Sequence, residues 1–212
     1  MKHTAVISAG YIGGVIEDHE GYEDRLYKSK PIEAPDFHIT YHNYGDFMFN
    51  FHAGKKVIGI DAAVGANVTD AMLEWLEAIC NGYWECLFLI DEEGPLTMLC
   101  CSNINWDNPN VRISILTTNE RYWNKGFAPN EATYEKAHEK DQCVSQVVFD
   151  VYVDKNKFIK DFYQALTDAL KTFSDEDFEQ VNARKPKRTS KIVKQYLLKH
   201  ASKSRRKKVR SK

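Results

Sequence analysis

The sequence predicts an α+β fold: a mainly antiparallel sheet of about six to seven strands with two packed helices, followed by a basic C-terminal arm. Three observations lead there. Apolar residues alternate with period two in short segments separated by turn residues, over 36–51, 84–90, 96–102 and 111–116. Two longer segments, 69–81 and 158–173, carry apolar residues at helical spacing. Charge is also divided along the chain. Residues 1–182 hold 15 Lys+Arg against 30 Asp+Glu, a net of −15, whereas residues 183–212 hold 14 Lys+Arg and no acid, a net of +14.

A length of 212 residues suits one sizeable core with an appendage, so the chain divides into an acidic α+β domain over 1–182 and a basic arm over 183–212. Hydrophobic residues make up 43% and charged residues 28%, ordinary globular usage that argues against wholesale disorder. The longest apolar runs fall far short of the roughly 18 to 20 residues a membrane helix needs. The first residues lack the organisation of a secretory signal. A cytoplasmic protein with no membrane partner is the expectation.

Taken in order, residues 4–16 offer two short apolar runs broken by Gly10, Gly13 and Gly14. Their spacing is not GxGxxG and no clear helix follows, so a turn between short strands is read there rather than a phosphate cradle. A polar loop then runs to Pro35. Residues 36–51 form a β-hairpin around Asn43-Tyr44-Gly45-Asp46. With Tyr44 and Gly45 as a two-residue turn, His38, Thr40 and His42 face Phe51, Phe49 and Phe47, and His52 lies on the opposite face. That placement argues against a three-histidine metal site, whose ligands must converge from one side. A further strand covers 56–60, with Asp61 at its end as an unpartnered carboxylate.

Thr69 is the expected N-cap of a helix to Asn81, with Met72, Leu76 and Ile79 as an apolar stripe and Gly82 as its stop. A three-strand meander follows over 84–90, 96–102 and 111–116. Residues 117–142 read as a long polar and aromatic excursion. The last strand, 143–153, is expected to place Ser145, Val147, Phe149, Val151 and Val153 on one face. Asp154 then caps a helix carrying Phe158, Phe162, Leu166, Ala169, Leu170 and Phe173 at helical spacing. In the arm, 190–200 reads as a short helix, and the acid-free residues 201–212 read as disordered in isolation.

The five cysteines, Cys80, Cys86, Cys100, Cys101 and Cys143, are odd in number and sit mostly in apolar segments. Reduced, buried thiols are expected, with Cys100 and Cys101 on opposite faces of one strand. No metal or cofactor is assigned. No P-loop, HExxH, nucleophile elbow or CxxC motif is present, so no catalytic residue is assigned and a non-enzymatic role is preferred over an uncharacterised hydrolase or transferase.

Two binding roles remain. Asp91, Glu92 and Glu93 form a dense acidic hairpin tip, and Tyr122, Trp123 and Phe127 lie in the long excursion; together they are the candidate partner-binding residues for a basic protein. Either group also has a purely structural reading, as a solvated turn or as a plug on the core. Non-specific nucleic-acid contact through phosphates is the alternative, carried by Arg184, Lys185, Lys187, Arg188, Arg205, Arg206, Lys207, Lys208 and Arg210. An arm folded onto its own acidic body or serving as a solubilising tail is the competing explanation.

The run Trp84-Glu-Cys-Leu-Phe-Leu-Ile-Asp-Glu-Glu-Gly94, the meander to Val147-Val-Phe-Asp-Val-Tyr-Val153 and the helix over 158–173 resemble the bacterial polymorphic-toxin immunity proteins. This resemblance covers about half the chain. It implies a small intracellular α+β protein without catalytic residues that occludes a toxin, often a basic nuclease. The basic arm departs from that pattern.

Overall fold

The computed structural model describes residues 2–9, 21–43, 47–62, 68–91, 96–117, 146–174, 176 and 189–210. Its strands are β1 (Thr4–Ala9), β2 (Ile32–Glu33), β3 (His38–Asn43), β4 (Phe47–Ala53), β5 (Lys56–Ala62), β6 (Glu85–Asp91), β7 (Leu96–Asn103), β8 (Asn110–Thr117) and β9 (Gln146–Asp154). Its helices are α1 (Tyr22–Lys28), α2 (Val68–Cys80), α3 (Lys155–Thr172) and α4 (Lys191–Arg210). The fold is α+β, as the sequence predicts. The strands divide between a six-stranded sheet of order β1-β6-β7-β8-β9-β2 and a three-stranded sheet of order β3-β4-β5. The meander β6–β9 is antiparallel, while β1 joins β6 and β2 joins β9 in parallel.

Alternation along the meander decides which side of the six-stranded sheet is filled. Cys86, Phe88, Leu99, Cys101, Val111, Ile113, Phe149, Val151 and Val153 enter one large core together with the apolar faces of α2 and α3. Trp75 of α2 is fully buried at its centre, and its indole N–H donates to the Cys86 carbonyl at 2.9 Å. Phe158 and Phe162 of α3 meet its ring edge-on, and Phe162 also stacks on Phe49 of the three-stranded sheet. Full burial of each such side chain contributes roughly 1.5–3 kcal/mol.

The helix ends follow their residues. Asp154 caps α3, its carboxylate accepting from the Lys157 amide at 2.8 Å. Gly82, at φ +84°, ends α2. The Gly82 amide donates to the Ile79 carbonyl and the Tyr83 amide to that of Ala78, the paired bonds of a Schellman stop. Thr69 lies inside α2, buried, and is not its cap.

Three further expectations are corrected. In the β3–β4 hairpin, His38 pairs with His52, Thr40 with Asn50 and His42 with Met48. The register is one residue away from that of a two-residue turn, and because side chains alternate, every one on β4 changes face. His38, His42 and His52 therefore share the outer face, and Phe37, Phe49 and Phe51 share the core. In β9, pairing jumps from Ile115–Phe149 to Leu116–Val147, a bulge that leaves Val148 over. Val147 thus turns to the opposite side from Phe149 and packs with Leu87, Leu89, Met98, Cys100 and Leu116. Finally, α4 continues through Arg210, beyond the expected end at His200, because its lysines, arginines and alanine are good helix formers.

Ser190 and Val193 of the arm are buried, and Tyr196 and Leu197 pack against the main core. No helix among the described residues is long and apolar enough to cross a membrane.

Candidate functional site

Of the partner-binding residues read from the sequence, Glu92, Glu93, Tyr122, Trp123 and Phe127 lie outside the described residues, and Asp91 is the last residue of β6. Arg184, Lys185, Lys187 and Arg188 also lie outside them. Arg205, Arg206, Lys207, Lys208 and Arg210 fall on the last turns of α4.

The opposite end of β6 carries an aromatic platform that the sequence reading missed. Trp84 precedes the strand, and its backbone is held on both sides: its amide donates to the His3 carbonyl at 2.8 Å, and its carbonyl accepts from the Asn103 amide at 2.9 Å. The Asn103 side chain adds bonds to the carbonyls of Tyr83 and Trp84 at 2.8 and 3.1 Å. Trp106 stands on the loop from β7 to β8. The Asn105 side chain accepts there from the amides of Asp107 and Asn108 at 3.1 and 2.7 Å, and that of Asn108 from the Asn110 amide at 2.9 Å. Asparagine side chains that replace backbone partners in this way fix a turn.

The two indole rings lie 4.8 Å apart at 60°, with Trp106 66% exposed. Tyr83 and Ile104 are exposed beside them. The Lys2 ammonium sits 4.1 Å from the centre of the Trp84 ring, where the negative face of an indole attracts a cation. The platform is thus a rigid, half-solvated aromatic surface that already holds a positive charge. A tryptophan set among Asn105, Asp107, Asn108 and Pro109 was the available signal, because turn residues place a large apolar ring in water.

The second polar grouping, on the far side of the six-stranded sheet, has a structural role. The Arg112 guanidinium grips Asp150 with two bonds, at 2.8 and 2.7 Å, and also donates to the Leu26 carbonyl near the C-terminus of α1. Ser114 donates to Asp150 at 2.9 Å, and Ser29 donates to it from just past α1. Asp150 raises the pKa of Arg112, against the opposing effect of burial. All these bonds fasten α1 to the sheet. Nearby, the Tyr22 hydroxyl donates to Glu85 at 3.2 Å, and burial, with Glu85 next, holds its proton far more tightly than usual.

Among the described residues the cysteines are free: Cys86, Cys100 and Cys101 are buried and Cys80 is half-buried, while Cys143 lies outside the described residues. Cys100 and Cys101 enter opposite clusters. Burial pushes the thiols of Cys80 and Cys86 up to about 12, which leaves almost no nucleophilic thiolate near neutral pH. Among the described residues no group of three or more His, Cys, Asp or Glu is placed to hold a metal ion. No protein-family model, no curated protein and no solved structure matches this chain.

Proposed function

We propose that this chain is a non-enzymatic binding module that neutralises a basic protein partner, in the manner of an immunity protein facing a toxin. The observation that carries the reading is the cation seated on Trp84, on a platform belonging to a body of net charge −15. A strongly anionic body speeds encounter with a cationic protein and repels nucleic acid from the same surface. Rigid aromatic rings supply the short-range anchoring that charge alone lacks. In this reading a lysine or arginine of the partner replaces Lys2 over the indole. Asp91, Glu92 and Glu93 act as steering charges, and Tyr122, Trp123 and Phe127 as further anchors.

Capture from an extract of the native cell tests it. The full chain should retain a basic protein, and that protein's association rate should fall steeply as salt rises. Retention of an acidic protein, or of nothing but nucleic acid, contradicts the proposal.

The second reading assigns the arm to nucleic acid. It draws support from the continuous helix of α4, which is rooted in the core by Val193 and carries Lys203, Arg205, Arg206, Lys207, Lys208 and Arg210 in its outer half. A helix of this charge binds phosphates without choosing a sequence. Truncation after Ala201 removes that charge while leaving the buried root in place; loss of nucleic-acid binding in this variant would favour the second reading.

A further inference from the structure

The outermost strand of the six-stranded sheet supplies an independent feature. Among the described residues β1 has β6 as its one neighbour, paired in parallel. The His3 carbonyl accepts from the Trp84 and Glu85 amides at 2.8 and 3.5 Å, so it points to β6. Backbone groups alternate in direction along a strand. Ala5, Ile7 and Ala9 therefore bond inward, while the amides and carbonyls of Thr4, Val6 and Ser8 point out of the sheet. The side chains are also uncovered: Thr4, Val6 and Ser8 are exposed, Val6 at 50%, and Ala5 and Ile7 are only partly buried against the main core. Proteins guard such an edge with charge, proline, a bulge, a covering helix or a very short strand. Elsewhere in this fold β5 begins on the exposed Lys56, β3 packs against α3, and β2, at the other end of the large sheet, has two residues. The six residues of β1, Thr-Ala-Val-Ile-Ser-Ala, hold neither a charge nor a proline.

We infer that β1 receives β1 of a second copy of this chain, antiparallel about a twofold axis at Val6, so that the two six-stranded sheets join edge to edge. The strand is its own complement in that register. Val6 meets Val6 of the other copy, Thr4 meets Ser8, and Ala5 meets Ile7. Each outward-pointing residue then exchanges both its backbone bonds with another outward-pointing residue. A shift by one residue would set outward groups against inward ones. On one face the valines touch and the Thr4 and Ser8 hydroxyls come within reach of each other; on the other, Ile7 covers Ala5 beside the main core. Charge favours a copy over a strongly ionic strand. Thr4–Ala9 has no ionisable side chain, and the carboxylate beside Thr4, that of Glu85, already accepts from Tyr22 and Cys100. The chain's net charge of −1 leaves little long-range repulsion between copies. About five residues a side, against the roughly 20 to 30 of a standard interface, make the dimer weak and concentration-dependent.

Sedimentation equilibrium of the full chain from about 1 µM to about 1 mM, with amide exchange read by NMR at low and high concentration, tests the site. The mass should rise from 24.5 kDa toward that of two chains. The amides of Thr4, Val6 and Ser8 should become protected only at high concentration, and those of Ala5 and Ile7 should be protected throughout. Val6→Lys sets two ammonium groups against each other at the axis, and Val6→Pro removes the central outward amide without touching the ladder to β6. Each should weaken dimerisation at least tenfold, while Val57→Lys, at an equally exposed position on β5, leaves it unchanged. Circular dichroism verifies that the variants stay folded. A monomeric mass up to about 1 mM, undiminished dimerisation in either Val6 variant, or dimerisation that leaves exchange at Thr4, Val6 and Ser8 unaltered would overturn the inference. So would protection of those three amides at monomeric mass, which would mean that another segment of the same chain occupies the edge.

Discussion

The Tyr196 hydroxyl donates a 2.9 Å hydrogen bond to the Asn156 side chain, tying the basic helix α4 to the first turn of α3. Three residues earlier on α4, Val193 has no exposed surface. The first turns of α4 are therefore part of the main core, and the basic residues beyond Ala201 are what remains to act outside it. Val193→Ala should lower stability by about 2 kcal/mol through lost burial and the cavity it leaves. Truncation after Ala201 should leave the melting temperature nearly unchanged, whereas truncation after Val181 should lower it sharply. Thermal unfolding of the three variants checks this.

Asp150→Ala should destabilise the fold by roughly 3 kcal/mol, the scale of breaking a mostly buried ion pair by removing one partner. The Asp150 side chain is 6% exposed and holds Arg112, Ser114 and Ser29 together. Loss of the carboxylate leaves Arg112 inside without its partner and frees α1. Urea unfolding gives the magnitude, and faster amide exchange over 22–28 gives the location.

How much of this was legible in sequence is clearest in the β3–β4 hairpin. The Asn-Tyr-Gly-Asp string correctly marks a turn, but turn composition alone does not separate a two-residue from a three-residue loop. The hydrophobic pattern does: only the observed register brings Phe37, Ile39 and Tyr41 to the same side as Phe49 and Phe51. The clear periodicity of α2 and α3 located both helices, since their buried faces repeat over several turns. In contrast, α1 has seven residues and one buried apolar side chain, Leu26, too little to register as a period. The bulge at Val148 and the parallel pairing of β1 with β6 depend on contacts distant in sequence. Trp84 and Trp106 meet for the same reason, so neither tryptophan alone announced the platform.

Acidification should weaken the fold through His52. Burial, then His38 and His42, hold its pKa below the ordinary value of 6.5. The folded chain thus binds this proton less readily than the unfolded chain. The stability this contributes is fully present above about pH 6.5 and is lost as pH falls through the folded value. Urea midpoints at about pH 7.5 and pH 5 should differ less in His52→Gln than in the natural sequence.

The measurement that tests the central claim most directly is the affinity of the captured basic protein for the natural chain, Trp84→Ala, Trp106→Ala and the truncation after Ala201. The platform account predicts at least a tenfold loss, about 1.4 kcal/mol or more, for each tryptophan variant and little change for the truncation. Unchanged affinity in both tryptophan variants, or binding that disappears with the truncation alone, would contradict it.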